Sequence, residues 1–434
     1  MIERVRFTDL LSKIVDNRGR TCPTADQGMP LIATNCVKNS TLYPVLEKVR
    51  YVDRHTYETW FRGHPEPGDL IFVCKGSPGQ VCLAPDPVSF CIAQDMVAIR
   101  ADPKRVYPAY LFAALRSPEV QFDIGNMHVG TLIPHFKKGD FDKLSIPLPP
   151  PAQQRIIGDW HLAIESKIDL NRRMNETLEA MAQAIFRDWF VDFGPVRRKM
   201  AGATDPVAIM GGLIPDPTRA AELAALFPDA FGDDGFPVGW SEKPLDQIAD
   251  FLNGLALQKF PARPGEPSLP VIKIAELRGG LTEKTNRASH DLPERYIIRD
   301  GDFLFSWSGS LMAKVWTEGE GALNQHLFKV SSAKYPQWFY ARWVHHHMPE
   351  FQSIAASKAT TMGHIQRGHL SSAMTVCPPD KLLNEMSKVM DPLWQRAIHN
   401  DLENRNLAET RDYLLPRLMS GEVRVGDGAL EIAA

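Results

Sequence analysis

Gly130-Thr131-Leu132-Ile133-Pro134-His135-Phe136-Lys137-Lys138-Gly139-Asp140-Phe141 lies over Ala359-Thr360-Thr361-Met362-Gly363-His364-Ile365-Gln366-Arg367-Gly368-His369-Leu370 at an offset of 364 − 135 = 229. The same offset sets Asn175-Glu176-Thr177-Leu178 over Asn404-Arg405-Asn406-Leu407, and Ile185-Phe186 over Leu414-Leu415. Upstream, Tyr107-Pro108 matches Tyr335-Pro336 at 228, and Gly68-Asp69-Leu70-Ile71-Phe72 matches Gly301-Asp302-Phe303-Leu304-Phe305 at 233. Loop insertions and deletions leave a drift of that size. Two copies are too few for a solenoid. The chain therefore reads as two duplicated halves that make a pseudo-dimer on one polypeptide.

Both halves follow one plan. Strand-like runs come first, Leu70 to Cys74 and Met96 to Arg100, then Phe303 to Trp307 and His326 to Ser331, bounded by Gly, Pro and Asp. A short helical stretch follows, Pro108 to Arg116 and Pro336 to His347. After the Gly/Thr/His segment, Pro147-Leu148-Pro149-Pro150-Pro151 and Pro378-Pro379 mark the start of a new element, because proline restricts its predecessor and stops regular structure.

That element is a long helix in each half. No proline occurs from Gln153 to about Trp189, and Ile157, Trp160, Ile164, Met174, Leu178, Met181 and Ile185 fall on steps of three and four, with Lys167 and Asn171 interrupting. The second copy, about Leu382 to Met419, carries Leu393, Asn400, Leu407 and Leu414 at seven-residue steps and Pro416 near its end. Asn171 and Asn400 are equivalent, as 400 − 171 = 229. They either fix the register of a helix pair or face solvent. A helix of about 35 residues is about 50 Å long. One amphipathic helix cannot bury its stripe alone. Two equivalent ones can pair, and an antiparallel pair would set the two globular segments at opposite ends of a rod. Gly194 to Trp240, rich in Pro, Gly and Asp with a helical piece around Thr218 to Leu226, reads as the connection between repeats.

Composition excludes little. The 434 residues are 44% hydrophobic and 23% charged with a formal net charge of −3, so any basic surface must be local. No apolar run is long enough to span a membrane, and Met1-Ile2-Glu3-Arg4-Val5-Arg6 lacks a signal-peptide core, which predicts a cytoplasmic protein. Cys22, Cys36, Cys74, Cys82, Cys91 and Cys377 show no Cys-x-x-Cys spacing, so they read as buried thiols rather than a zinc site.

Catalytic signatures are absent as well. There is no phosphate-cradling Gly-x-x-x-x-Gly-Lys-Ser/Thr, no Gly-x-Ser-x-Gly elbow and no Asn/Asp-Pro-Pro-Tyr/Phe of the kind amino-methyltransferases use. Glu165-Ser166-Lys167 with Asp159 upstream has the form of a nuclease metal site, but it falls where a heptad helix carries surface charge. His345-His346-His347 reads as a solvated helix face, since consecutive residues do not share one. Two similar heads without a recognisable active site point to a binding scaffold.

The run Lys167-Ile168-Asp169-Leu170-Asn171-Arg172-Arg173-Met174-Asn175-Glu176-Thr177-Leu178-Glu179-Ala180-Met181-Ala182-Gln183-Ala184-Ile185-Phe186-Arg187-Asp188-Trp189-Phe190-Val191-Asp192-Phe193-Gly194-Pro195-Val196-Arg197 closely resembles the central conserved region of type I restriction–modification specificity (HsdS) subunits. Ile146 to Arg155 is similar to the lead into that region, and Leu226-Phe227-Pro228-Asp229 with Pro237-Val238-Gly239-Trp240 to the lead into the second head. Glu403 to Leu407 with Leu414 to Glu422 resembles the distal conserved region.

The resemblance implies α/β (α+β) target-recognition heads at 1–150 and 236–380, long antiparallel coiled-coil helices at 151–193 and 381–422, a linker at 194–235 and a tail at 423–434. Each head would read one half of a bipartite sequence in double-stranded DNA. The helices would set the gap and dock two methyltransferase subunits. Restriction subunits would complete the complex. The chain itself would be non-catalytic and bind no cofactor or metal. S-adenosylmethionine would sit on the methyltransferase, and ATP and magnesium on the motor-nuclease. Two pseudo-symmetric heads match two half-sites at a fixed distance.

Candidate DNA contacts are Arg18, Arg20, Lys38, Lys75, Thr131, His135, Lys137 and Lys138 in the first head, and Lys259, Lys273, Lys314, Thr360, His364, Gln366 and Arg367 in the second. Thr131, His135, Thr360 and His364 are equivalent across the copies, so phosphate contact or fold support suits them better than base reading. A fused enzyme and a protein-interaction adaptor with degenerate heads are the alternative readings.

Overall fold

The computed structural model describes residues 2–17, 21–127, 135–357, 363–425 and 430–432, which form two compact units, one of residues up to Leu170 with those from Asn406 on, the other Asn171–Arg405. In the first unit the strands are β1 (Glu3–Arg6), β2 (Leu11–Val15), β3 (Met29–Ile32), β4 (Arg50–Val52), β5 (Leu70–Val73), β6 (Val81–Leu83), β7 (Cys91–Ile92), β8 (Met96–Ala101) and β9 (Ser145–Leu148). Its helices are α1 (Arg54–Thr59), α2 (Pro108–Arg116), α3 (Pro118–Met127) and the first part of α4 (Pro151–Phe186). The second unit holds the rest of α4, then α5 (Gly194–Met200), α6 (Pro206–Ile209), α7 (Pro217–Leu226), α8 (Leu245–Ile248), α9 (Ile274–Gly279), α10 (Gln337–Ser357), α11 (Arg367–Ser372) and most of α12 (Asp380–Ser420). Its strands are β10 (Ser241–Pro244), β11 (Asp250–Asn253), β12 (Ser268–Ile272), β13 (Arg287–Ser289), β14 (Ile297–Ile298), β15 (Phe303–Ser306), β16 (Met312–Val315), β17 (Gly321–Leu323), β18 (Leu327–Ser331) and β19 (Met374–Cys377). After α12, β20 (Val423–Val425) pairs with β21 (Leu430–Ile432) in the first unit.

The two units repeat one strand order. The antiparallel sheet β2-β8-β5-β6 of the first corresponds to β11-β18-β15-β16 of the second, and the pair β1-β9 to β10-β19. The mixed sheet β4-β3-β7 corresponds to β13-β12-β17, which gains β14 at its edge. The central strand is buried on both faces, as its unbroken apolar run requires. Leu70 and Phe72 pack with Tyr110, Leu111 and Ala114 of α2, whereas Ile71 and Val73 pack with Ile32 and Ile92 of the mixed sheet. Phe303 and Phe305 likewise face α10, and Leu304 faces Ile272 and Leu323. Alternation at period two thus holds two layers on one strand.

Local signals fix the helices. Pro108 opens α2 at its first turn, where its missing N–H costs nothing. Gly158 lets α4 pass the start of α2, since a Cβ there would stand 2.6 Å from the Tyr110 backbone nitrogen. At the corresponding place in the second unit, Ser387 accepts the Trp338 indole N–H at 3.1 Å. The helix expected to end at His347 runs on to Ser357 through Pro349, and α12 contains both Pro392 and Pro416. Burial of Leu415, Leu418 and Met419 outweighs the helix-breaking preference of Pro416.

Three expectations are corrected. The stretch expected as a connection with one helical piece carries that piece as α7 and is folded beyond it: α5 to α7 contribute Val196, Ile209, Ala220 and Leu223 to the core that holds Trp189, Phe190 and Trp240. Of the expected solvated histidine face only His346 is exposed, whereas His345 and His347 are half-buried. His345 packs on Phe303, and burial with the nearby Arg342 cation pushes its pKa down to about 4. His347 stacks on Trp343. Glu165 does not lie on a charged surface either. It is 1% exposed and pairs with Arg116 at 2.9 Å and Arg411 at 2.6 Å, while Asp159 accepts the Tyr107 hydroxyl at 2.6 Å.

The buried stripe of α4 differs from the expected one at alternate positions. Ile157, Ile164, Asn171 and Ile185 are buried and Leu178 is half-buried, as a seam requires, but the intervening positions are His161, Ile168, Asn175 and Ala182 rather than Trp160, Lys167, Met174 and Met181. Met181 is 45% exposed and Ala182 4%. Apolarity pointed one residue too early because histidine, asparagine and alanine occupy the true positions. Trp160 and Met174 are half-buried beside the stripe, as are Leu393, Leu407 and Leu414 on α12.

Asn171 and Asn400 are both fully buried, so they do not face solvent. The Asn171 amide donates to Asn404 Oδ1 at 3.0 Å and to Glu403 at 2.8 Å, and the Asn400 amide donates to Asn175 Oδ1 at 2.8 Å. Adding 229 to one partner and subtracting it from the other converts the 171–404 bond into the 400–175 bond, so the pairs are local two-fold mates. Asn175 also donates to Asp401 at 2.8 Å and to the Ala397 carbonyl at 3.1 Å. The helices run antiparallel here, since rising numbers on α4 meet falling numbers on α12.

All six cysteines are buried and unbridged. Among the described residues no helix is long and apolar enough to cross a membrane.

Ala182→Glu should lower the melting temperature by several degrees, since burying an uncompensated charge costs a few kcal/mol, whereas Met181→Glu should leave it nearly unchanged; thermal melts decide the register. Glu165→Gln should destabilise by about 3–5 kcal/mol by leaving Arg116 a buried, unpaired cation. Burial alone would raise the Glu165 pKa, but Arg116 and Arg411 outweigh it and hold it below the ordinary 4.5. Its stabilising contribution is therefore complete above that value and lost as the pH falls through the depressed one, so the difference between wild type and variant should narrow only in acid.

Candidate nucleic-acid interface

One end of each four-stranded sheet collects polar side chains around a glycine turn. In the first unit the chain leaves β5 through Cys74 and Lys75 into Gly76, at φ 87, and in the second it leaves β15 through Trp307 and Ser308 into Gly309, at φ 64. Positive φ here demands glycine in both copies. The segment after the described gap docks on this end in the same way twice. The Phe136 N–H donates to the Cys74 carbonyl at 2.8 Å and the Ile365 N–H to the Trp307 carbonyl at 3.0 Å. His135 bridges to Lys75 and His364 to Ser308. The equivalence of the two histidines thus has a backbone-level reason.

The side chains on this common frame differ. In the first unit Lys75 Nζ lies 3.9 Å from Asp95, at the head of β8, and Lys138 Nζ lies 3.7 Å from Asp16, after β2. Lys137 is exposed beside them. In the second unit the Ser308 hydroxyl lies 3.0 Å from His326 Nδ1, ahead of β18, and the Trp307 indole N–H donates to Asn253, at the end of β11, at 2.9 Å. Arg367 donates to the Phe251 carbonyl at 3.2 Å and lies over the Phe328 ring at 5.9 Å. Gln366 is exposed, and its backbone N–H donates to His369 Nδ1 at 2.9 Å at the start of α11.

Of the residues singled out from sequence, Lys75, His135, Lys137 and Lys138 meet at one sheet end, and His364, Gln366 and Arg367 at the other. Lys38 sits beside β6, paired with Glu47 at 3.8 Å. Lys259 ends a short 3-10 turn ahead of β12, and Lys273 follows β12 at the start of α9, bonding Asn286. Lys314 points into a cavity of about 290 Å³ lined also by Asn175, Trp394 and Asp401. Arg18, Arg20, Thr131 and Thr360 lie outside the described residues. Sequence reasoning missed Asp16, Asp95, Asn253, Trp307, Ser308 and His326. A signal was there: Lys75-Gly76-Ser77 lies over Ser308-Gly309-Ser310, and Gln94-Asp95-Met96 over Gln325-His326-Leu327.

Among the described residues, then, one sheet is built twice and ends each time in a polar rim whose side chains differ between the copies. Residues 23–180 match the family profile described as "Type I restriction modification DNA specificity domain". The chain is 25% identical over 398 residues to the type I restriction enzyme HindI specificity subunit of Haemophilus influenzae, covering 82% of this chain and 86% of that one. It is 21% identical over 366 residues to the MjaIX specificity subunit of Methanocaldococcus jannaschii, covering 82% and 78%. In fold it is similar to the crystal structure of the type I restriction–modification S subunit from M. genitalium, with a TM-score of 0.53 at 13% identity over 96% of this chain and 95% of that chain. Over most of its length the chain is thus similar to the specificity subunits of type I restriction enzymes.

Proposed function

We propose that this chain is the non-catalytic DNA-recognition subunit of a cytoplasmic type I restriction–modification complex, and that each sheet end reads one half of a bipartite target in double-stranded DNA. The observation that carries the reading is the same backbone frame, built twice, with different polar side chains on it. A shared frame suits a shared approach to the duplex, and different side chains suit different bases. The bonded asparagines at 171, 175, 400 and 404 support a ruler role for the two long helices as an antiparallel coiled coil, since buried amides specify register. The same helices would dock two methyltransferase subunits carrying S-adenosylmethionine, and restriction subunits with ATP and magnesium would join them. Target-recognition heads at 1–150 and 236–380 follow from this reading.

Methylome sequencing of cells expressing the chain with its cognate methyltransferase tests the proposal. A bipartite motif that vanishes without this chain is expected; methylation indifferent to the chain would reject it. Lys137→Ala with Lys138→Ala should weaken DNA binding of the complex across all sequences and flatten its salt dependence by roughly one unit of slope for each lysine that neutralises a phosphate, read by binding titrations at several salt concentrations. Inserting one heptad into both long helices at the asparagine layer adds about 10.5 Å of helix. The gap in the motif should lengthen by about 3 base pairs with both half-sites unchanged, given a rise of about 3.4 Å per pair; an unaltered gap would rule out the ruler.

A further inference from the structure

The position at the head of the inner strand, Asp95 before β8 and His326 before β18, occupies the same point of the frame in both units. Val73 pairs with Met96 and Ser306 with Leu327 in the sheet register, so Asp95 and His326 each precede a matched residue. Each is held by the residue that enters the glycine turn. Lys75 faces Asp95 at 3.9 Å, and the Ser308 hydroxyl faces His326 Nδ1 at 3.0 Å.

The backbone at this point is fixed without help from these side chains. The Cys74 N–H donates to the Asp95 carbonyl at 2.7 Å, and the Trp307 N–H to the His326 carbonyl at 3.4 Å. Asp95 is an aspartate at φ 81, where glycine would be unstrained, so a side chain stands there at a conformational cost. His326 is further oriented by the Trp307 ring at 5.8 Å. With Nδ1 engaged by Ser308, its Nε2 lies on the side of the Gln325 amide, 3.4 Å away.

The chemistry on the two frames is of different kinds. An aspartate accepts from the cytosine amino group, so Asp95, with Lys75 beside it, suits the cytosine of a G·C pair. The second set is an imidazole with an amide beside its Nε2, a nitrogen that donates or accepts by tautomer. Neighbouring residues are alike in the two units, with a lysine or arginine at 138 and 367 and a glutamine at 94 and 325. The two frames thus differ in the chemistry of this pair while these neighbours are kept.

We propose that Asp95 and His326 are base-pair determinants of the two half-sites, with Lys75 and Ser308 as the residues that position them. This rests on the recognition role proposed above and adds to it which residues set the sequence.

The test grafts one pair onto the other frame. His326→Asp with Ser308→Lys is expressed in full-length chain with the cognate methyltransferase, and the methylated motif is sequenced. Asp95→Asn, which the φ 81 backbone tolerates, is its counterpart in the first unit. His326→Gln is a milder second variant, so the question survives if the double variant does not fold; thermal melts of the complexes establish folding. The expected result is a changed base preference at one position, or two adjacent ones, of one half-site for the His326 variants and of the other half-site for Asp95→Asn, with the gap unchanged. Competition binding with single-base variants of the motif should show discrimination at that position falling by about 5- to 150-fold. An unchanged motif, or a uniform loss of binding across all sequences by a folded complex, overturns the assignment and leaves the recognition role standing. If the wild-type chain itself directs no motif, the recognition role fails instead.

Discussion

Asn171 bonds Asn404 and Asn400 bonds Asn175 between two antiparallel helices, and that layer fixes how the two helices align. An amide buried without a partner costs about 1–3 kcal/mol. Sliding one helix along the other would break both pairs together, because they are two-fold mates. Leucines would bury more apolar surface at these sites, but they would tolerate several registers. Asn171 and Asn400 each also keep a carbonyl oxygen with no hydrogen-bond partner among the described residues. The layer therefore gives up some stability for a unique alignment of the two helices.

The duplication was legible from sequence because it is a comparison of the chain with itself. The central strands, α2 and the long helices were legible for a related reason: apolar runs and proline boundaries have local causes. The register of α4 was only partly so. His161 is fully buried against Phe112, and burial pushes its pKa down to about 3, so a neutral imidazole fills a seam position that a search for apolar residues passes over. Glu165 is hidden in the same manner, because its partners Arg116 and Arg411 come from distant parts of the chain. The segment after α4 misled through its composition, although Asp205-Pro206 and Asp216-Pro217 each carry the cap and first-turn proline of a helix start.

The candidate interface was the least legible part, for a physical reason. Lysines can be picked out by charge, but membership of one rim depends on which strand ends lie side by side. Lys38 and Lys75 look alike in sequence; one pairs with Glu47 beside β6, and the other stands at the glycine turn. Trp307, the last residue of a strand-like run, is half-buried, with its indole N–H on Asn253.

Divergence between the halves follows the same division between backbone and side chain. Bonds such as Phe136 N–H to the Cys74 carbonyl and Ile365 N–H to the Trp307 carbonyl place no demand on residue type. The turn glycines and the seam asparagines do, since only glycine is unstrained at those φ values and only an amide completes those pairs. Positions 74, 75 and 95, with 307, 308 and 326, can therefore change chemistry while the frame that aims them is kept. Two copies of one fold that present different surfaces have to change at such positions, and these two copies do.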